Sequence, residues 1–512
     1  MNEVNRSLRS IARGTVFSAL GIFLALMFSF LQRWTIIRVS TPEEYGLYSL
    51  SLAVIALFLS IGSLGLYEGI TRTISFHSSV NSSEISKKRI FSSLIFLSSV
   101  SGGICFLLLV FVSPQISSFF GKDISWIIQV VSISLPFSLL LEFLVSFFRG
   151  IERAEVKVVF QDVFKNFIFF SILVAIFVRK MPFYTVVIGY VISIVVSAVF
   201  ILFYTFKTVG IPKFRGMVPV TEKMLLFSLP LLGGSIFQLI TQWADTLLLG
   251  VFRTAEEVAF YSAALPTSKL IQASMAAFLF IYTPVATSLF SRGLMSEMKR
   301  VYAIVSKWVL LLTFPLFLTL FLNAETLFLF LYGSEYASAV LPFRMITVGY
   351  LFRDSFGPSH GALIAMGRTK TMFAILSAIA ATNLCLNILL IPRMGMEGAA
   401  LSMVATLCVA ALLRWGVLYR ISGIHPFKRN FFKPALSSLL MIGGVQIVLE
   451  RFVVIKAWML PFILVLYTLI YVFSMVITKS IDEEDIWMLL ILERRMGFNL
   501  TFLKKIVKKF LK

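Results

Sequence analysis

Apolar runs of about 20 residues recur about 14 times along this chain, and that recurrence limits what it can fold into. A helix of about 20 apolar residues matches the hydrocarbon thickness of a bilayer. In lipid every backbone N–H and C=O needs an internal partner, so each run reads as a membrane-spanning helix. Only 14% of the residues are charged and 58% are hydrophobic, whereas a soluble domain carries roughly a quarter charged residues. The expected fold is an all-α polytopic membrane protein with about 14 transmembrane helices. The first run starts near Gly14 and is too long for a signal-peptide core, so it is expected to be retained.

A net charge of +21 would suggest nucleic acid in a soluble domain. Here its distribution gives a different answer. Sorted by alternate loops, Lys and Arg fall about 30 on the side of the termini against about 8 on the other. By the positive-inside rule both termini are cytoplasmic and the number of spans is even. The positive charge therefore sets topology and meets anionic lipid in the cell membrane; no nucleic-acid partner is expected. The 479–512 tail reads as a cytoplasmic, basic amphipathic segment, with Phe502/Leu503, Ile506/Val507 and Phe510/Leu511 on one face and lysines on the other.

Two stretches 213 residues apart are nearly the same. TPEEYGLYSLSL (Thr41–Leu52) and TAEEVAFYSAAL (Thr254–Leu265) share Thr, Glu-Glu, Tyr-Ser and Leu in register. SFFRGIERAEV (Ser146–Val156) and LIAMGRTKT (Leu363–Thr371) form a weaker echo at a similar interval. Six spans separate the copies, an even number, so both halves enter the membrane in the same direction and form a parallel repeat. The expected organisation is a six-helix lobe over 1–206, an inter-lobe linker over 207–223, and a six-helix lobe over 224–420. Two extra transmembrane helices over 433–478 and the tail complete it.

Enzyme chemistry finds little support. Cys105, Cys385 and Cys408 all sit in apolar runs, and His77, His360 and His425 follow no metal-binding spacing. No loop exceeds about 25 residues, which leaves no room for a soluble catalytic domain. Charges at membrane depth are the better guide, because each costs about 2.5–3.5 kcal/mol to insert. Lys269, Arg353 and Asp354 lie about 11–14 residues into their spans; Lys165, with Asp162 one turn before it, and Lys307 lie about a third of the way in. Arg33, Asp245 and Arg344 fall near outer ends, and Glu142 and Arg414 near inner ends, where long side chains can reach the interface. The deep set holds more cations than acids, which points to an anionic substrate. Asn383 and Asn387, at i and i+4, suit interhelical hydrogen bonding. Pro266, Pro284, Pro315 and Gly357-Pro358 mark bends.

These residues carry a resemblance. RVSTPEEYGLYSL (Arg38–Leu50), WADTLLLG (Trp243–Gly250), FYSAALP (Phe260–Pro266), AMGRTK (Ala365–Lys370) and NILLIPRMGMEGAAL (Asn387–Leu401) are similar to prokaryotic oligosaccharide flippases. These form a branch of the multidrug/oligosaccharidyl-lipid/polysaccharide (MOP) exporter superfamily. The likeness covers roughly residues 8–420. It implies two six-helix lobes around a cavity and movement of a lipid-linked oligosaccharide from the inner to the outer leaflet. It carries over Asp245 by pattern. The expected cavity set is Lys269, Arg353, Asp354, Lys165, Lys307, Asp245 and Arg33, with no catalytic residue, cofactor or metal. A coupling cation, Na+ or H+, is not readable. A monomer working with membrane lipids, and in contact with glycan-assembly proteins, is expected. The alternatives are a cation-coupled multidrug antiporter of the same fold and a membrane-embedded glycan polymerase or ligase.

Overall fold

The computed structural model describes residues 21, 24–79, 84–153, 155–229, 232–427 and 429–480. The expected amphipathic tail and the first arginines lie outside the described residues. Among the described residues the chain is helices and short connections, with no strand. It is an all-α, multi-pass membrane protein.

The chain divides into two compact units, Met1–Ser262 and Ala263–Lys512. The first holds α1 (24–39), α2 (Pro42–Gly62), α3 (Leu66–Ser79), α4 (Glu84–Phe120), α5 (Ser125–Ser132) and α6 (Leu135–Gly150). A π-helical turn, Lys157–Phe164, then runs into α7 (Lys165–Arg179), followed by α8 (Tyr184–Val209), α9 (Val218–Ser228) and α10 (Leu232–Phe252). Helix α11 (Ala255–Ser268) begins in the first unit and ends in the second. The second unit continues with a 3-10 turn, Lys269–Ile271, then α12 (Gln272–Ser291), α13 (Met295–Leu322), α14 (Ala324–Leu331), α15 (Val340–Ser355) and α16 (Ser359–Ala365). It ends with α17 (Thr369–Ser422), α18 (Arg429–Phe452) and α19 (Leu460–Ile477).

Eight described helices are long and apolar enough to cross a membrane, and α5 with α6, bent by 44°, makes a ninth. Fewer qualify by length than the 14 runs suggest, because several runs are broken. Pro136 starts α6, Pro266 precedes the 3-10 turn, and Gly357-Pro358 separates α15 from α16. Proline supplies no N–H and closes off the preceding turn. The 54-residue α17 conceals the opposite case. Its Asn383 Nδ2 lies 3.5 Å from Thr406 Oγ1, whereas 23 residues of straight helix span about 35 Å. The run is thus two antiparallel legs, folded back at Gly395 (φ 59°, ψ −133°), a conformation open in practice only to glycine.

Large side chains face outward over the apolar belt: Phe111 is 72% exposed, Phe203 69% and Leu440 74%. In water such surface would drive association; against acyl chains it is solvated. Inside, the first unit packs Leu66, Phe91, Leu94, Phe143, Phe147 and Met224 together, and the second Met275, Tyr282, Tyr302, Leu363 and Leu418.

The repeated Thr-x-Glu-Glu sequence is a helix start in both copies. Thr41 Oγ1 accepts from the Glu44 N–H (3.2 Å) while Glu44 Oε2 accepts from the Thr41 N–H (2.9 Å), a complete capping box on α2. In the second copy Thr254 Oγ1 accepts from the Glu257 N–H at 3.3 Å. Thr41→Ala should therefore lower stability by about 1 kcal/mol, read as the shift in chemical or thermal unfolding of the purified protein. Equal stability of mutant and wild type would show that the box contributes nothing.

The copies also pack on each other. The Tyr45 hydroxyl donates to the Ser262 carbonyl at 3.3 Å. A β-carbon on Gly46 would overlap the Ala255 carbonyl, and one on Gly250 would run into Leu50. Nearby, α4 ends in a Schellman turn, with Gly121 at φ 59° and the Lys122 N–H bonded to the Ser117 carbonyl at 3.2 Å. The Lys122 ammonium donates to the carbonyls of Phe120 and Gly250, at the C-terminal ends of α4 and α10, where helix dipoles favour a cation. Burial pushes this ammonium below the ordinary lysine range.

Candidate functional site

In the second unit four segments bring polar groups to one cavity of about 210 Å³. Gln272 enters from the start of α12, Arg353 from the end of α15, His360 from α16 and Arg414 from the second leg of α17. Local sequence sets each position. Pro266 ends the regular part of α11, and the 3-10 turn that follows rotates Gln272 inward. Gly357 at φ 69° turns the chain out of α15 and sits so tightly on Ser306 that a β-carbon would overlap its hydroxyl. The Tyr302 hydroxyl donates to the Phe356 carbonyl, which fixes the break that presents His360. Ala411 and Arg414, three residues apart, share one helical face.

Electrostatically the cavity is cationic on one wall and neutral on another. Arg353 donates Nε and Nη2 to the same oxygen of Asp354, at 2.8 and 2.6 Å, and its guanidinium lies 5.0 Å from the Tyr350 ring centroid. Asp354 is fully buried and its other oxygen, Oδ2, has no hydrogen-bond partner. Arg414 Nε and His360 Nδ1 are also buried without a partner. His360 lies within electrostatic reach of both arginines.

The sequence-picked charges are distributed unevenly. Arg353 and Asp354 meet, and Arg353 lines the cavity. Lys269 is exposed in the 3-10 turn, three residues before Gln272, and does not line the cavity. Lys307 donates to the Ser480 carbonyl, beyond the end of α19. In the first unit Asp245 is buried and accepts from the Tyr261 hydroxyl at 2.5 Å. Lys165 faces Glu142 and Asp162; Glu142 is hydrogen-bonded to Tyr67, and Asp162 pairs with Lys157 at 3.5 Å. Arg33 is half-buried on α1, beside Gln32, which donates to the Asn166 carbonyl at 2.8 Å.

A second, larger cleft of about 540 Å³ lies in the first unit between Glu43, Lys122, Asp123, Arg253 and Glu257. Its lining holds three acids against two cations, so it is not a cationic site for an anionic ligand. Two residues of the second-unit cavity, His360 and Arg414, were not selected by depth. The preceding Gly357-Pro358 break was the available signal for the first; only packing of the folded-back α17 places the second.

The family model described as "Polysaccharide biosynthesis protein" matches residues 11–290. A candidate O-antigen transporter of Shigella flexneri is 21% identical over 425 residues, covering 79% of this chain and 97% of that one. An uncharacterized membrane protein of Methanocaldococcus jannaschii is 23% identical over 419 residues, covering 77% and 80%. Among solved structures, the lipid II flippase MurJ in an inward closed conformation aligns with a TM-score of 0.71 at 16% identity, over 92% of this chain and 99% of that one. An inward-facing multidrug-resistance MATE transporter of the MOP superfamily aligns at 0.62 and 13% identity, over 78% and 95%. The fold is thus that of the MOP exporters, and the chain belongs to the polysaccharide biosynthesis protein family.

Proposed function

We propose that this protein is a flippase, not an enzyme, that moves a polyprenyl-diphosphate-linked oligosaccharide from the inner to the outer leaflet by alternating access. The observation that carries the reading is the arginine-lined cavity inside a polysaccharide-family transporter fold. A diphosphate cannot cross hydrocarbon bare, because an unpaired charge loses its hydration there. A guanidinium on the cavity wall replaces that hydration, and Arg is suited to phosphate by its planar fork. The polyprenyl chain stays in lipid while the headgroup passes inside the protein. On this reading the protein acts as a monomer in the cell membrane with both termini cytoplasmic, as the loop charges favour.

A drug antiporter driven by a cation would call for an uncompensated carboxylate in the first half. The deep acids described there are engaged: Asp162 with Lys157, Glu142 with Tyr67 and facing Lys165. In cells lacking the protein, labelled lipid-linked oligosaccharide should accumulate on the cytoplasmic leaflet, and surface glycan should fall at least tenfold. Unchanged surface glycan in the deletion strain would overturn the flippase reading.

A further inference from the structure

We propose that Arg414 and His360 form a phosphate-binding subsite in the second unit, and that the Arg353–Asp354 pair is its wall rather than its charge. This deepens the flippase reading and rests on it for the source of the phosphate. The argument begins with which cations are already engaged. Two of the Arg353 donors go to Asp354, so its charge is compensated within its own helix. Lys307 is held by the Ser480 carbonyl. Arg414 differs: among the described residues it forms no ion pair, and its Nε is buried with no acceptor. His360 Nδ1 is in the same condition on the same cavity.

Buried polar atoms are satisfied almost everywhere in native proteins, so two orphans on one cavity wall call for an explanation. The cavity, about 210 Å³, has room for about seven waters at liquid density. An oxyanion answers both orphans. The guanidinium is donor-only and binds phosphate through parallel N–H bonds, and an imidazole with its proton on Nδ1 donates as well. The two groups arrive from different helices, α17 and α16. A tetrahedral phosphate also presents oxygens out of the guanidinium plane and can accept from both; a planar carboxylate gripped by Arg414 keeps only lone pairs in that same plane.

The test uses the purified full-length protein and its thermal unfolding, since a ligand that binds only the folded state raises Tm. Inorganic pyrophosphate should raise the Tm of the wild type, and glucuronate should not. Arg414→Gln should abolish the shift and His360→Phe should reduce it. Arg353→Met with Asp354→Leu, which removes the pair together, should retain it. Should Arg414→Gln fold poorly, Arg414→Lys keeps the charge without the fork and should lose most of the shift. A full pyrophosphate shift in the folded Arg414 variant, or its loss in the double variant, overturns the proposal; an equal shift with glucuronate overturns the phosphate assignment. Polyprenyl diphosphate that competes with pyrophosphate assigns the site to the lipid headgroup. Pyrophosphate binding without such competition keeps the subsite and counts against its use in flipping.

Discussion

Asp354→Ala is expected to lower the stability of the folded protein by about 3–5 kcal/mol, the penalty for stripping one partner from a buried ion pair. Asp354 is fully buried and the Arg353 side chain is 19% exposed along the cavity, so water replaces the lost carboxylate only in part. The guanidinium would keep its charge, and its Nε and Nη2 would both lose their acceptor. The measurement is the unfolding midpoint in detergent, together with the amount of protein recovered from membranes. The control is the paired replacement of Arg353 by Met and Asp354 by Leu. It removes both charges and fills similar volume, and such replacements are often neutral or stabilising. A small effect for Asp354→Ala, or an equal loss in the paired variant, would show that the contact is not what stabilises this helix end. The distinction matters for function. If the pair is self-contained, the charge available to a ligand in this cavity is that of Arg414.

That outcome also measures what the sequence could and could not reveal. Depth along a span singled out Arg353 and Asp354, because depth depends only on counting residues from a span's start; in the structure Asp354 is fully buried and Arg353 partly so. Whether a buried charge is free is set by rotamers and neighbours, and the neighbour here is the next residue in the chain. Counting along the span places Arg414 near an inner end, from which a long side chain can reach water. In the structure it lines a cavity, since the second leg of α17 folds back on the first. The fold-back itself was legible: Pro392 and Gly395 interrupt an apolar stretch too long for one span. The meaning of the Thr-x-Glu-Glu repeat was also within reach, because Thr followed by Glu three residues later is a capping box. Its second role was not. The close approach of the two copies through Gly46 and Ala255 depends on where α2 and α11 lie in space.

That close approach supports the other large expected effect. A β-carbon at Gly46 would fall on the carbonyl oxygen of Ala255 and 2.6 Å from its carbonyl carbon. Both atoms are backbone, so no rotamer change can relieve the overlap; one helix has to move. Overpacking of this kind costs about 1–3 kcal/mol, and occasionally more, so Gly46→Ala should fall in that range and Gly46→Val at or above its upper end. Gly103 on α4 is the control, with nothing within 4 Å of its added β-carbon. There a glycine-to-alanine change in a helix should be neutral or stabilising by about 0.5–1 kcal/mol. The displacement can be read directly. Leu47 lines the cleft beside Ala255, and Cys105, Cys385 and Cys408 are the cysteines to replace by serine first. A Leu47→Cys variant should then react with a membrane-impermeant maleimide several-fold faster when Gly46 is Val than when it is Gly. Unchanged reactivity alongside unchanged stability would mean that α2 and α11 tolerate separation and that the glycine is dispensable. Faster labelling would show that the close fit of Gly46 on Ala255 governs access to this end of the first unit.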